Sequence, residues 1–298
     1  MIKFKNKIKP RVVCKYSREN RDSILGVGVG INITNEVDDR KNYIDKLIDS
    51  VNLLKKENTK TILLDNIYEF KYSEVVDIEK KTNLKVPYGR WIKVKLLPNV
   101  LMRICEYNDI DLYERNILII GDDSEDTSEV IDSLADKVNY LSLVCEDCNF
   151  GMKMKGKILF NYGLSIETVK TVKDLKKYKV IINLNNNIDI NPYRINKNTM
   201  IFDLSNSRKV SRNLNDKRKD VGSIEDFILV NKSNVNSDTE EFEMDKEVTS
   251  NIYDNLNDKV DLKHFAKIMV NKKMYTIEEM SKLFLNNKNN MSKFHVKC

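Results

Sequence analysis

The chain is short of the residues that punctuate and cross-link small folds. Four prolines and nine glycines in 298 residues leave no proline-rich linker and no glycine-rich array. The five cysteines (Cys14, Cys105, Cys145, Cys148 and Cys298) are odd in number and scattered, which excludes a disulfide framework. Two histidines, His264 and His295, and one tryptophan, Trp91, offer little material for histidine-centred triads or histidine-rich metal sites. No metal is therefore expected. No run approaches the roughly 18 consecutive apolar residues of a membrane-spanning helix. Met1 to Pro10 carries lysine at alternate positions and lacks the apolar centre of a signal peptide. Together these absences predict a soluble, cytoplasmic protein without a membrane partner.

What is present is charge and alternation. Charged residues make up 32% of the chain and nearly balance at a net +6, compatible with an acidic partner without requiring one. Three regions separate by pattern: an N-terminal mixed α/β domain over 1–112, a Rossmann-like domain over 113–222, and a helical segment over 223–298. In the first, 11–16 and 24–33 read as strands, 38–57 and 73–82 as helices, and 61–65 as a short buried strand. Pro98 is placed to start a helix running to about Tyr107.

The middle region alternates strictly. Strands are predicted at 116–121, 139–145, 164–169, 179–184 and 199–204, and helices at 124–136, 151–161 and 173–177. Gly163 stands as a helix C-cap. Such alternation predicts an α/β fold with an open, mainly parallel sheet covered on both faces. Residues 206–245 read as mostly loop with one more strand or short helix near 221–230, and 246–287 as C-terminal helices.

Asn116-Ile-Leu-Ile-Ile-Gly121 is an apolar strand closed by glycine, which is how a dinucleotide-binding unit opens. A G-x-G-x-x-G turn would follow, with its glycines letting the backbone approach the pyrophosphate at a helix N-terminus. Here Asp123 and Asp126 take the second and third glycine positions, and Asp122 and Glu125 add two more acids. Opposed charges a few ångströms apart in a partly desolvated site cost on the order of several kcal/mol. The same acids, with Ser124 or Asp123 as N-cap, are also ordinary stabilisers of a first helical turn.

The second strand ends in Cys145-Glu146-Asp147, about 25 residues after Gly121, near where an acid reads ribose hydroxyls. Later strands end in Val-Ile-Ile-Asn183 and in Ile-Phe-Asp-Leu-Ser205. This series resembles the nucleotide-binding domain of the shikimate dehydrogenase and glutamyl-tRNA reductase group, with a degenerate glycine loop. The resemblance implies NAD(P) as the cofactor and an oxidoreductase ancestry, with Gly121, Asp123, Glu146 and Asn183 as cofactor-facing positions. Its rewritten loop points to a dehydrogenase-like protein that binds a small ligand or a protein partner without hydride transfer. The alternatives are an active NAD(P)-dependent oxidoreductase, in which Asp65 or Lys93 serves the substrate, and a regulatory interaction module. A phosphoacceptor receiver fits less well, because Asn183 and Asn185 stand where its aspartate belongs.

Ser207 to Lys219 is the densest basic run, and its start falls at the carboxyl edge of the sheet. Arg208, Lys209 and Arg212 are anion-binding candidates there, although a solvated basic loop is the better account of the run. Nucleic acid is not an expected partner, because no aromatic residues interleave the basic ones. Cys145-Glu-Asp-Cys148 lacks the second ligand pair of a zinc site and the positive surroundings of a redox pair. Gly26-Val-Gly-Val-Gly30 lacks the lysine of a phosphate loop and reads as a closely packed strand. His264 reads as a structural or exposed residue on an amphipathic helix rather than a catalytic one.

Overall fold

The computed structural model describes residues 9–18, 24–31, 40–64, 66–169, 171, 174–233, 235–257 and 259–285. The chain begins with β1 (Arg11–Arg18), β2 (Ile24–Gly30), α1 (Arg40–Leu54), α2 (Tyr72–Thr82) and α3 (Arg90–Tyr107). It continues through β3 (Asn116–Ile120), α4 (Glu125–Leu134), β4 (Tyr140–Val144), α5 (Cys148–Tyr162) and β5 (Glu167–Val169). Next come β6 (Val180–Asn183), β7 (Met200–Asp203), α6 (Lys209–Lys217) and β8 (Ser223–Val230). The last elements are β9 (Val235–Ser237), β10 (Glu247–Thr249), α7 (Ser250–Leu256), β11 (Phe265–Val270), β12 (Lys273–Tyr275) and α8 (Ile277–Met280). Two compact units result. One is 1–87 with 230–248 and 255–257; the other is 88–229 with 249–254 and 258–298.

The first unit holds an antiparallel sheet in the order β2-β1-β9. Two of the three alternating glycines of β2 have a packing reason, while Gly26 faces open space. A Cβ at Gly28 would lie 2.3 Å from Cys14 Sγ, and one at Gly30 would lie 2.7 Å from Val13 Cγ1. In α1, Ile44, Leu47 and Ile48 are buried, as are Val75 and Ile78 in α2. Arg40 ties the two helices together with a bidentate pair to Glu74, both contacts at 3.0 Å. The strand expected over 61–65 is not formed among its described residues. Thr61 makes a single parallel bridge to Lys85, and Leu63 is exposed, so there is no partner strand to extend the ladder.

The second unit is a Rossmann-like fold. Its sheet runs β12-β11-β8-β7-β6-β3-β4-β5, with β5 through β8 all parallel. Counted from β3 as strand 1, this is the order 3-2-1-4-5-6 of a dinucleotide-binding fold. The switch point falls between β3 and β4 on one side and β6 on the other, above Gly121. One sheet face packs Leu118, Ile120, Ile181 and Ile201 against Val210 and Leu214 of α6. The αL glycine at 163 caps α5 as expected.

Four further expectations need correction. Helix α3 starts at Arg90, not at Pro98, which lies inside it. A mid-helix proline forfeits one backbone bond, at about 3 kcal/mol, but Ile92, Val94, Leu96, Leu97, Val100 and Leu101 on the same helix are all essentially unexposed. That burial outweighs the lost bond. The helix at 173–177 is absent among its described residues: a turn caps itself through Asp174 Oδ1, 3.1 Å from Lys176 N.

Residues 209–217, expected as loop, are helix α6. Val210 and Leu214 supply a narrow buried face that the surrounding basic residues obscured. Within the C-terminal segment, Leu262, Phe265, Ile268 and Met269 have helical spacing, yet 265–270 is strand β11, antiparallel to β8. Asn271 and Lys272, both with positive φ (52° and 62°), turn it tightly into β12. The β-rich run Ile268-Met-Val270 and the turn after it were the readable signals.

Candidate functional site

The carboxyl edge of the parallel sheet carries two polar constellations. The first is the turn after β3. A Cβ on Gly121 would fall 2.3 Å from Thr127 Cγ2, so glycine here lets α4 pack against the strand. The next residue, Asp122, folds its carboxylate back onto the start of that helix. Its Oδ1 accepts from Ser124 N at 3.3 Å, from Thr127 Oγ1 at 3.0 Å and from Ser124 Oγ. Ser124 is the N-cap and accepts from Thr127 N.

Arg90, from the first turn of α3, neutralises this loop. Its Nε lies 2.6 Å from Asp126 Oδ2, as a charge contact and not an aligned hydrogen bond, and Nη2 is 3.7 Å from Asp122 Oδ2. Burial pushes the Asp122 carboxyl up, but the Ser124 and Thr127 hydrogen bonds and the Arg90 charge outweigh it and hold the group below its ordinary range. A carboxylate depressed in this way stabilises the fold above its unfolded value and stops doing so as pH falls through the folded one. An Arg90→Met variant is expected to lose about 1–2 kcal/mol at neutral pH. The difference from the parent should shrink below about pH 4, where Asp122 takes up its proton in the variant and the unfolded chain. Urea unfolding at pH 7 and pH 3.5 checks both statements.

This arrangement does not fit the pyrophosphate of NAD(P). The helix N-terminus that would receive it already holds the chain's own carboxylate, and the close-approach positions carry Asp123 and Asp126. The acids are less repulsive than their number suggests, since Arg90 offsets two of the four. Of the other cofactor-facing positions, Glu146 is exposed at the end of β4. Asn183 is fully buried and committed to the fold: its amide donates to Asp203 Oδ1 at 2.8 Å and its carbonyl accepts from Asn185 N at 3.1 Å.

The second constellation lies at the carboxyl end of β7 and beside it in the first half of β8. Lys93, Asp203, Arg208, Glu225 and Asp226 are each no more than 5% exposed. Buried ionisable groups are rare unless paired, so five along one sheet edge is unusual. Asp203 accepts from Asn183 Nδ2, from Ser205 Oγ at 2.7 Å and from Ser211 N at 2.8 Å. Asp226 accepts from Phe227 N at 2.8 Å and Ser250 N at 3.3 Å. Burial pushes the Glu225 carboxyl up despite the Arg208 charge and an Asn215 hydrogen bond.

Lys93 is the exception in this group. It feels the charges of Asp226, Arg208, Asp203 and Arg90, yet among the described residues it donates to no oxygen. Burial lowers its pKa to about 8, against the raising influence of Asp226. The unfolded chain keeps that proton to a higher pH, so this lysine makes stability rise between about pH 8 and 10.5 and opposes folding below. Ser250 Oγ and Asn206 Oδ1 at the same edge are buried without a partner among the described residues. Such groups ask for water, an ion or a ligand.

Of the anion candidates, Arg208 is buried with φ 48°, Lys209 is exposed and 3.7 Å from Asp189 Oδ2, and Arg212 is half-buried in α6. The three therefore do not share one environment. Asp65 lies outside the described residues. Cys145 is buried, which pushes its thiol up, whereas Cys148 is exposed. His264 Nδ1 sits 2.6 Å from Tyr253 Oη at the end of a single 3-10 turn, Leu262–His264, that leads into β11, and not on an amphipathic α-helix. Asp203, Glu225 and Asp226 are buried acids that were not among the residues expected at the site. An acid interrupting an apolar strand was the available signal in Ile224-Glu-Asp-Phe227.

Comparison with protein-family models finds no match, and neither does comparison with curated proteins. Solved structures do match in part. A Δ1-pyrroline-2-carboxylate reductase from Thermococcus litoralis in complex with NADH and L-proline is 10% identical, with 37% of this chain and 36% of that chain covered and a TM-score of 0.30. A shikimate dehydrogenase in complex with NADP+ is 14% identical, with 38% and 42% covered and a TM-score of 0.30. An iminosuccinate reductase from Paracoccus denitrificans in complex with NAD+ is 9% identical, with 38% and 36% covered and a TM-score of 0.29. The chain spans less than half the length of each of these proteins. The Rossmann-like assignment rests on this chain's own strand order.

Proposed function

We propose that this is a dehydrogenase-like Rossmann protein whose carboxyl edge binds a small polar ligand in place of a dinucleotide, without hydride transfer. The observation that carries this reading is the Asp122 carboxylate seated at the amino end of α4, where a pyrophosphate would rest. The ligand is a molecule that brings an oxygen acceptor to Lys93, the buried cation with no acceptor of its own among the described residues. An anionic acceptor stabilises the charged ammonium and raises its pKa.

Binding should therefore take up about half a proton at pH 8 and almost none at pH 6, where Lys93 is already protonated. Calorimetry in buffers of different ionisation enthalpy measures this directly, using small carboxylates and phosphate esters first selected by thermal shift. A ligand that binds with no proton uptake at pH 8, or equally well to a folded Lys93→Met variant, sinks the assignment of Lys93.

A further inference from the structure

Helix α5 exposes far more apolar surface than its place beside a sheet requires. Phe160 is 91% exposed, Met152 63% and Leu159 52%, while Gly151, Met154 and Ile158 face inward. Met152, Gly156 and Leu159 are spaced four and three apart, so they form one line along the outward face. Phe160 and Lys153 flank that line on one side, and Tyr162 and Lys155 on the other. At Gly156 an added Cβ would meet nothing within 4 Å, so the line has an open notch at its centre. Glycine is a poor helix former, and a solvent-facing mid-helix position gives it no local advantage. A contiguous exposed apolar patch bordered by polar residues marks an interaction surface.

We propose that this face of α5 docks an acidic amphipathic helix of a partner protein. The spacing is that of a helix seam, in which a bulky side chain of the partner enters the notch between Met152 and Leu159. Charge selects the partner. Lys153 and Lys155 are exposed on opposite flanks, and neither pairs with an acid among the described residues; Lys157, further round, is already held by Asp132. Lysines on both flanks repel a second copy of the same helix and attract glutamate or aspartate at the facing positions. A notch adds nothing to contact with a lipid surface but supplies the hole that a helix needs.

The test uses the full-length chain and a fluorescein-labelled helical peptide of about three heptads, leucine in the seam and glutamate on both flanks. Fluorescence anisotropy should show binding in about the micromolar range. Affinity should fall at least about tenfold in Leu159→Ser and in the double variant Lys153→Glu/Lys155→Glu. The double variant should instead bind the same peptide with lysine flanks. These positions are exposed, so unchanged circular dichroism is expected and separates docking from folding. Equal binding of both peptides overturns the proposal. So does phosphatidylglycerol-vesicle binding that depends on the same residues, or self-association in sedimentation that Phe160→Ser abolishes.

Discussion

An Asp203→Ala variant should lose about 3–5 kcal/mol of unfolding free energy, the largest single effect expected in this protein. Asp203 is fully buried, and its two oxygens receive the Asn183 amide, the Ser205 hydroxyl and the Ser211 backbone N–H. Alanine leaves the Asn183 amide and the Ser211 N–H inside the fold with no acceptor, and the Ser205 hydroxyl with only the 3.4 Å contact to Ser207 Oγ. Each orphaned buried donor costs about 1–3 kcal/mol, and partial relaxation keeps the total below the simple sum. The negative charge also disappears from the neighbourhood of Lys93. Asp203→Asn keeps one acceptor oxygen and should lose visibly less. Urea denaturation followed by circular dichroism distinguishes the two, and equal losses would contradict the hydrogen-bond account.

Gly89→Ala should cost about 2–4 kcal/mol by a different route. Gly89 has φ 63° immediately before α3, and a Cβ there would meet Ser250 Oγ at 2.1 Å, Ser250 C at 2.4 Å and Asn251 N at 2.5 Å. Two of these atoms are backbone, so no side-chain rotation relieves the clash. The left-handed conformation adds about 1–2 kcal/mol for any residue with a side chain. This glycine also aims Arg90 and Lys93, one and four residues later, at the sheet edge. The variant should therefore weaken the binding proposed at Lys93 together with stability, as calorimetry on the folded fraction would show.

The parallel core was legible in the sequence because its signals are local. The strands at 116–120, 180–183 and 200–203 are short, largely apolar runs and the helices after β3 and β4 show their own period, so a parallel sheet follows from alternation and handedness. Signals that depend on distant partners were not legible. Phe265 to Val270 has helical spacing and becomes a strand because β8 offers an edge. Residues 209–217 looked like a basic loop because only Val210, Ser211 and Leu214 face inward.

The site divides in the same way. Acids after Gly121 were visible, and their conflict with a pyrophosphate followed from charge alone. That Arg90, 32 residues upstream of Asp122, would neutralise them is a tertiary fact with no sequence marker. The gathering of Lys93, Asp203, Arg208 and Asp226 is another, since it joins residues from α3, β7, the β7–α6 loop and β8.

Isothermal titration of the purified chain with NADH and NADPH at low salt asks the central question: does the turn that closes β3 still accept a diphosphate? With its own aspartate already lodged there, heats should match the dilution blank up to about millimolar cofactor, the range where affinity is worth only about 4 kcal/mol. Saturable micromolar binding that weakens in a Gly121→Val variant of unchanged fold would contradict the account.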